Sequence, residues 1–308
     1  MHANANELQK SIQQLVASGQ VTRTIKVLNE TITNNPTFLE AWMLLGGVYR
    51  ASDHIEGAIA VIKESLRQIP NNSRILSNLG CLYLDQGEFD QAIETLKNAV
   101  SINSKDASAW YALGLAFQKV ENFTKAIESF QKVVTLDPNR IDAWTELASA
   151  LDDSEQYAEA INSYKKVLEL QPTSFVSWVG LGMAYQNDKN YEEAARAYEQ
   201  GLKIDSRDAI IWFRLGKALL DAGEVDRAIE ALKKGLDINP DVQRAWFDLF
   251  DAYREKGDMA GAKEAFRRGY FMAPENIDVK FVLGNTPEEV EEEVKQAINQ
   301  WEAKNKKS

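Results

Sequence analysis

Cysteine is almost absent from this 308-residue chain. Cys81 stands alone, so an intramolecular disulfide, a Cys-based zinc site and a redox pair all lack members. Histidine is nearly as scarce, and His2 and His54 lie too far apart in sequence to suggest a His-rich metal centre. No stretch reaches the roughly 18 consecutive apolar residues of a membrane span. The opening MHANANELQKSIQQLVASGQ lacks the apolar core of a signal peptide. A soluble, cytoplasmic chain without membrane insertion is expected. Bases are outnumbered, 35 against 46 acids, and the net charge of −11 repels nucleic acid and anionic membrane. Linkers are missing as well. Length alone suggests two domains at about 150 residues each, yet no Pro/Gly/Ser-rich stretch divides the chain. With 44% hydrophobic and 26% charged residues, the composition is that of a chain that folds.

What is present is a period. Six of the seven tryptophans, Trp42, Trp110, Trp144, Trp178, Trp212 and Trp246, are spaced by 34 residues or twice that, and Leu76 fills the vacant place. Pro36, Pro70, Pro138, Pro172, Pro240 and Pro274 keep the same interval, and so do Ala58, Ala92, Ala126, Ala160, Ala194, Ala228 and Ala262. Within a unit the order is W-x2-L-G-x2-Y, then A-x3-F, then P. Trp42, Leu45, Gly46, Tyr49, Ala58, Ile62 and Pro70 show it in one unit. Trp110, Leu113, Gly114, Phe117, Ala126, Phe130 and Pro138 show it in another.

On these residues the chain resembles the tetratricopeptide repeat (TPR) family. The units are 5–38, 39–72, 73–106, 107–140, 141–174, 175–208, 209–242 and 243–276, after an N-terminal extension 1–4 and before a C-terminal capping helix and tail, 277–308. The resemblance implies an all-α fold, a right-handed α-solenoid of stacked helical hairpins. The spacing carries its own physics. Trp, Leu, Gly and Tyr fall at i, i+3, i+4 and i+7, one stripe on a first helix facing its partner. Glycine there lets two backbones approach, against a cost of about 1 kcal/mol for glycine in a helix. Proline cannot continue the preceding helix and suits the first turn of the next. A lone hairpin cannot bury such a stripe, so neighbours supply the core and the chain is expected to form one array.

Departures from the pattern mark the ends. Leu8, Ser11, Ile12 and Leu15 replace the signature in the first unit, and Thr24 replaces its alanine, as in an N-terminal cap. Phe250 takes the small-residue place in the last unit and is expected to widen or tilt that hairpin. Thr286, Pro287, Glu288 and Glu289 open a new helix whose Val290, Val294, Ala297, Ile298 and Trp301 form one apolar stripe, the expected capping helix.

Catalytic motifs are lacking. There is no Gly-rich phosphate loop, no G-x-S-x-G elbow and no H-E-x-x-H. Asp152, Asp153, Glu192 and Glu193 read as solvated charge on turns and outer faces, and Cys81 as an inert small residue or a groove contact. No enzyme activity, metal or cofactor is expected.

A binding site is sought on a second stripe of each first helix, at places 2, 5, 6 and 9 of a unit, about 200° round the helix from the first stripe. In proteins this sequence resembles, that face lines a concave groove for a peptide. Two family modes are not found here. The Lys, Asn and Arg set that grips acidic chaperone tails is missing, since only Asn78 and Arg214 have a suitable type at place 6. The place-6 asparagine ladder of sugar-transferring TPR enzymes is missing too. The candidate groove is Asn78, Tyr111, Asp142, Glu146, Val179, Met183, Phe213, Arg214, Lys217, Arg244 and Phe247, with Val176 and Ile210 extending its apolar floor. Acids lie upstream and bases downstream. The function read from this is a non-catalytic adaptor that binds a peptide or amphipathic segment of another protein. The alternatives are a self-associating assembly scaffold, or a regulatory subunit of an enzyme encoded elsewhere.

Overall fold

The computed structural model describes residues 10, 12, 14, 15 and 20–272. The extension 1–4, most of the first helix of the 5–38 unit, and the segment 277–308 with its expected capping helix lie outside the described residues. Within them there are 15 α-helices and no strand. They are α1 (Val21–Asn34), α2 (Leu39–Ala51), α3 (Ile55–Gln68), α4 (Ser73–Gln86), α5 (Phe89–Ile102), α6 (Ala107–Lys119), α7 (Phe123–Leu136) and α8 (Ile141–Asp153). Then follow α9 (Tyr157–Leu170), α10 (Phe175–Asn187), α11 (Tyr191–Ile204), α12 (Ala209–Asp221), α13 (Val225–Ile238), α14 (Gln243–Lys256) and α15 (Met259–Met272). From α2 onward, alternate helices start 34 residues apart, at Leu39, Ser73, Ala107, Ile141, Phe175, Ala209 and Gln243. The chain divides into two compact units, Met1–Ser154 and Glu155–Ser308, although the composition contains no linker at that point. In each unit, helices packed consecutively against one another bury the core. The first unit contains a cluster of Ile12, Leu28, Trp42, Leu45 and Val48, so Ile12 is tied into the core at the N-terminal end.

The signature glycines hold the hairpins together by their lack of a side chain. A Cβ on Gly114 would stand 2.5 Å from the ring of Phe130, and one on Gly216 would stand 2.5 Å from Leu232. Such separations are closer than packed carbon atoms allow, so only glycine lets α6 meet α7 and α12 meet α13 at this distance. In the last hairpin Phe250 takes that place. Its ring is fully buried and meets Phe266 edge-on, with centroids 5.6 Å apart.

The tryptophans have a second task that the apolar pattern did not foretell. Each signature indole N–H donates to the carbonyl six residues upstream, in the turn before its helix: Trp42 to Pro36, Trp144 to Pro138, Trp178 to Pro172 and Trp246 to Pro240, at 2.8 to 2.9 Å. Where serine replaces the proline the bond persists, from Trp110 to Ser104 and from Trp212 to Ser206, both at 2.9 Å. The bond gives the polar tip of each indole a partner. Trp110, Trp144, Trp178 and Trp212 are half-buried, whereas Trp42 and Trp246 make the same bond and are buried.

The turns inside the hairpins share one backbone device. Asp53, Gly87, Glu121, Glu155, Lys189, Gly223 and Gly257 recur at the repeat interval, and all have φ between 56° and 81°. That left-handed conformation ends one helix and starts the next. It is unstrained for the three glycines and strained for the other four residues.

Candidate functional site

In the first unit, Tyr111, Asp142 and Glu146 come together through residues outside the second stripe. Arg140, the last residue before α8, stacks its guanidinium over the Tyr111 ring at 4.3 Å from the centroid. The same guanidinium donates from Nε and Nη2 to both carboxylate oxygens of Asp142, at 2.9 and 3.2 Å. Glu146 is half-buried on α8 and accepts from the Gln118 side chain. Burial, more than the neighbouring charge of Asp142, raises its carboxyl above the ordinary range. Burial, with the charges of Glu146 and Asp142, pushes the Tyr111 hydroxyl up to about 12. The phenol therefore stays protonated and remains a hydrogen-bond donor. Asn78 is half-buried on α4 and joins none of these interactions among the described residues. Cys81, on the same helix, is partly covered, and burial pushes its thiol up, which favours an unreactive protonated sulfur.

In the second unit, the candidate side chains lie along α10, α12 and α14, and the structure revises their roles. Phe213 and Phe247 are half-buried and pack against the core cluster of Leu232, Trp246, Phe250 and Phe266. A Cβ on Gly235 would stand 2.4 Å from the Phe213 ring, and one on Gly269 would stand 3.2 Å from Phe247. A Cβ on Gly201 would stand 3.6 Å from Val179, an ordinary contact that the smaller side chain allows. The second helix thus carries a glycine under each of these three side chains. This coupling was readable in the sequence, because Gly201, Gly235 and Gly269 also keep the repeat interval.

The bases are also partly engaged. Lys217 pairs with Asp221 at 2.5 Å, and Arg244 pairs with the buried Asp248 at 3.1 Å. Arg214 is half-buried on α12 and has no ion-pair partner among the described residues. Met183 is half-buried on α10. Among the described residues the most exposed large apolar side chains are Val176, at 68%, and Ile210, at 60%, in the first turns of α10 and α12.

Sequence reasoning missed Arg140, Gln118 and Asp221, which tether the groove residues. It also missed the clefts on the first stripe. One cleft of about 540 Å³ is lined by Leu168, Glu169, Trp178, Tyr185, Glu193 and Gln200. Another, of about 300 Å³, has Trp246, Tyr253 and Arg268 at the corresponding places. Among the described residues no group of acids, His and Cys could hold a metal ion, and no helix is long and apolar enough to cross a membrane.

The helices and their packing define an all-α helical-repeat solenoid. The tetratricopeptide repeat description matches residues 179–242 and 213–277, and that of the cytochrome c-type biogenesis protein H TPR domain matches 83–204. The chain belongs to the tetratricopeptide repeat family. Residues 2–133 also match the ChAPs, or Chs5p-Arf1p-binding proteins. No curated protein matches the sequence. Among solved structures, MamA is 29% identical, with 54% of this chain and 91% of MamA covered at a TM-score of 0.51. The C-terminal part of a TPR protein from Cytophaga hutchinsonii is 18% identical and covers 78% of this chain and 98% of its own, at a TM-score of 0.64. YrrB, a TPR protein with an unusual peptide-binding site, is 18% identical and covers 58% of this chain and 92% of its own, at 0.53. At 18% identity the last two show the fold alone. Family membership and the MamA likeness support a general role in protein interaction.

Proposed function

We propose that this protein is a non-catalytic adaptor whose second stripe binds a peptide or amphipathic segment of a partner protein. The observation that carries this reading is on α10 and α12 of the second unit. Val176 and Ile210 hold apolar surface in water, and Arg214 is a half-buried guanidinium without a carboxylate among the described residues. Apolar side chains left exposed on a face not used for stacking suit a partner's apolar face. A half-desolvated cation suits a carboxylate placed beside it. The partner segment therefore carries aliphatic side chains with an acidic residue or C-terminal carboxylate among them. Val179 and Met183 complete the floor, and Phe213 and Phe247 stiffen it from beneath. Lys217 and Arg244 add positive charge at the rim, reduced by their own acids. In the first unit Arg140 already occupies Asp142 and the Tyr111 face, which leaves Glu146 to receive a basic group of a bound segment.

The test begins with a partner isolated by affinity capture. Its binding to the wild type is compared with that of Arg214→Glu and of Val176→Ser with Ile210→Ser. Each change is on the surface and should leave helicity intact. The serine pair should weaken binding more than tenfold, and Arg214→Glu should mainly slow association and reduce its salt dependence. If both variants bind like the wild type, the stripe is not the site. If size in solution then grows with concentration, the assembly-scaffold reading takes its place.

A further inference from the structure

The second unit contains three signature tryptophans, and two of them carry a cation on the ring. Lys234 Nζ lies 4.8 Å from the Trp212 ring centroid, and Arg268 Cζ lies 4.9 Å from that of Trp246. Both cations stand at the same place of the second helix, so the chain supplies its own charge to the aromatic face. At the corresponding place opposite Trp178 the residue is the uncharged Gln200.

That substitution coincides with a difference in space. Around Trp246 the cleft measures about 300 Å³ and Arg268 forms part of its wall. Around Trp178 it measures about 540 Å³, with Gln200 where the arginine would be. The floor is apolar: Leu168, Leu181 and Ala197 are buried, as is most of Tyr185. Lys165 is engaged over the Tyr185 ring at 5.5 Å, and Arg196 pairs with Glu193 on the rim. The second rim carboxylate, Glu169, is 65% exposed and pairs with Lys166, which is not part of the cleft. An indole with no cation on its ring, and two rim carboxylates each paired with an exposed cation, therefore surround the place that a cation fills in the next two hairpins.

We infer that the Trp178 cleft is a docking site for an arginine or lysine side chain on a basic segment of a partner protein. The guest cation takes over the Trp178 face the role that Lys234 and Arg268 play over theirs. A long aliphatic stem lies along Leu181 and Ala197 while the charged head reaches the ring and Glu169 or Glu193. Arginine is preferred to lysine because a planar guanidinium stacks on indole and pairs with carboxylates at the same time. The net charge of −11 draws a basic segment toward this protein in the first place. The cleft uses the first stripe of α10 with faces of α9 and α11, so it stands independently of the second-stripe site.

The experiment uses the full chain with ¹⁵N-labelled indoles and three end-blocked probes: tri-arginine, tri-glutamine and tri-glutamate. The Trp178 indole signal is assigned by its loss in Trp178→Phe. Tri-arginine should shift it several-fold more than the Trp212 and Trp246 signals, and the other two probes should not. Gln200→Arg, which puts a guanidinium at the place Arg268 holds beside Trp246, should abolish that shift while leaving the circular dichroism unchanged. Trp178 responding no more than Trp212 and Trp246 would overturn the proposal. So would an equal response to tri-glutamine or tri-glutamate, or a Gln200→Arg variant that still shifts like the wild type.

Discussion

The ring of Phe213 occupies the space that a side chain on Gly235 would need, with a Cβ there only 2.4 Å from Phe213 Cε1. Phe213 therefore belongs as much to the hairpin of α12 and α13 as to the surface above it. Gly235→Ala should cost about 1–3 kcal/mol through overpacking. Phe213→Val, which imitates Val179 over Gly201, should restore most of that loss in the double variant. Denaturant unfolding of the four proteins of this cycle checks the coupling, and strictly additive costs would contradict it.

Trp144 is half-buried and donates to the Pro138 carbonyl at 2.9 Å. Trp144→Phe keeps most of the apolar area and removes that bond, so it should cost about 0.5–1.5 kcal/mol. Trp144→Ala should cost more, because ring burial is lost as well. A phenylalanine variant as stable as the wild type would show that the indole bond contributes nothing.

Lys189 and Glu121 sit at φ 61° and 57° in turns where other hairpins use glycine. Lys189→Gly or Glu121→Gly should raise stability by up to about 1 kcal/mol, since the left-handed strain of an L-residue exceeds the extra freedom gained by the unfolded chain. Gly223→Ala should do the reverse. Thermal melts of the three variants give the sign directly.

Asp248 is the buried acid of the second stripe. Burial raises its carboxyl, and the charges of Arg244 and Lys217 offset this only in part. A group whose folded value lies above its unfolded value, about 3.9 for Asp, holds its proton more tightly in the folded state. Its contribution to stability is complete below that unfolded value and is lost as the pH rises through the folded one. Asp248→Asn should therefore gain on the wild type between about pH 4 and pH 7. The exposed Arg244 left behind stays hydrated and loses little. Urea titrations at the two pH values measure the difference, and an asparagine variant that loses ground as the pH rises would refute the assignment.

The fold was legible because a repeat states its packing rules many times over. Gly46, Gly114 and Gly216 recur where α2, α6 and α12 meet their partners, and each collides with the next helix if a Cβ is added. The candidate groove was less legible. Its residues were placed on one face by the period of the first helix alone, which takes no account of the second-helix residues that each side chain meets. Phe213 and Phe247 turned inward over glycines of the second helix. Lys217 and Arg244 found acids one turn away. Arg140 reached across to Tyr111 from outside the stripe.

By itself the sequence determined the helices, their length and their order. These follow from local spacing: apolar places at i, i+3, i+4 and i+7, prolines between helices, and glycine where backbones touch. Only the tertiary structure decided which charges and apolar groups remain free to meet a partner. Pairing and burial depend on side chains brought together from different helices, as when Arg140 covers Tyr111 while Arg214 keeps no anion among the described residues. The Trp178 cleft has the same origin. An uncharged residue, Gln200, stands where Arg268 walls the other cleft, and the difference in space appears only when the clefts around Trp178 and Trp246 are compared in three dimensions.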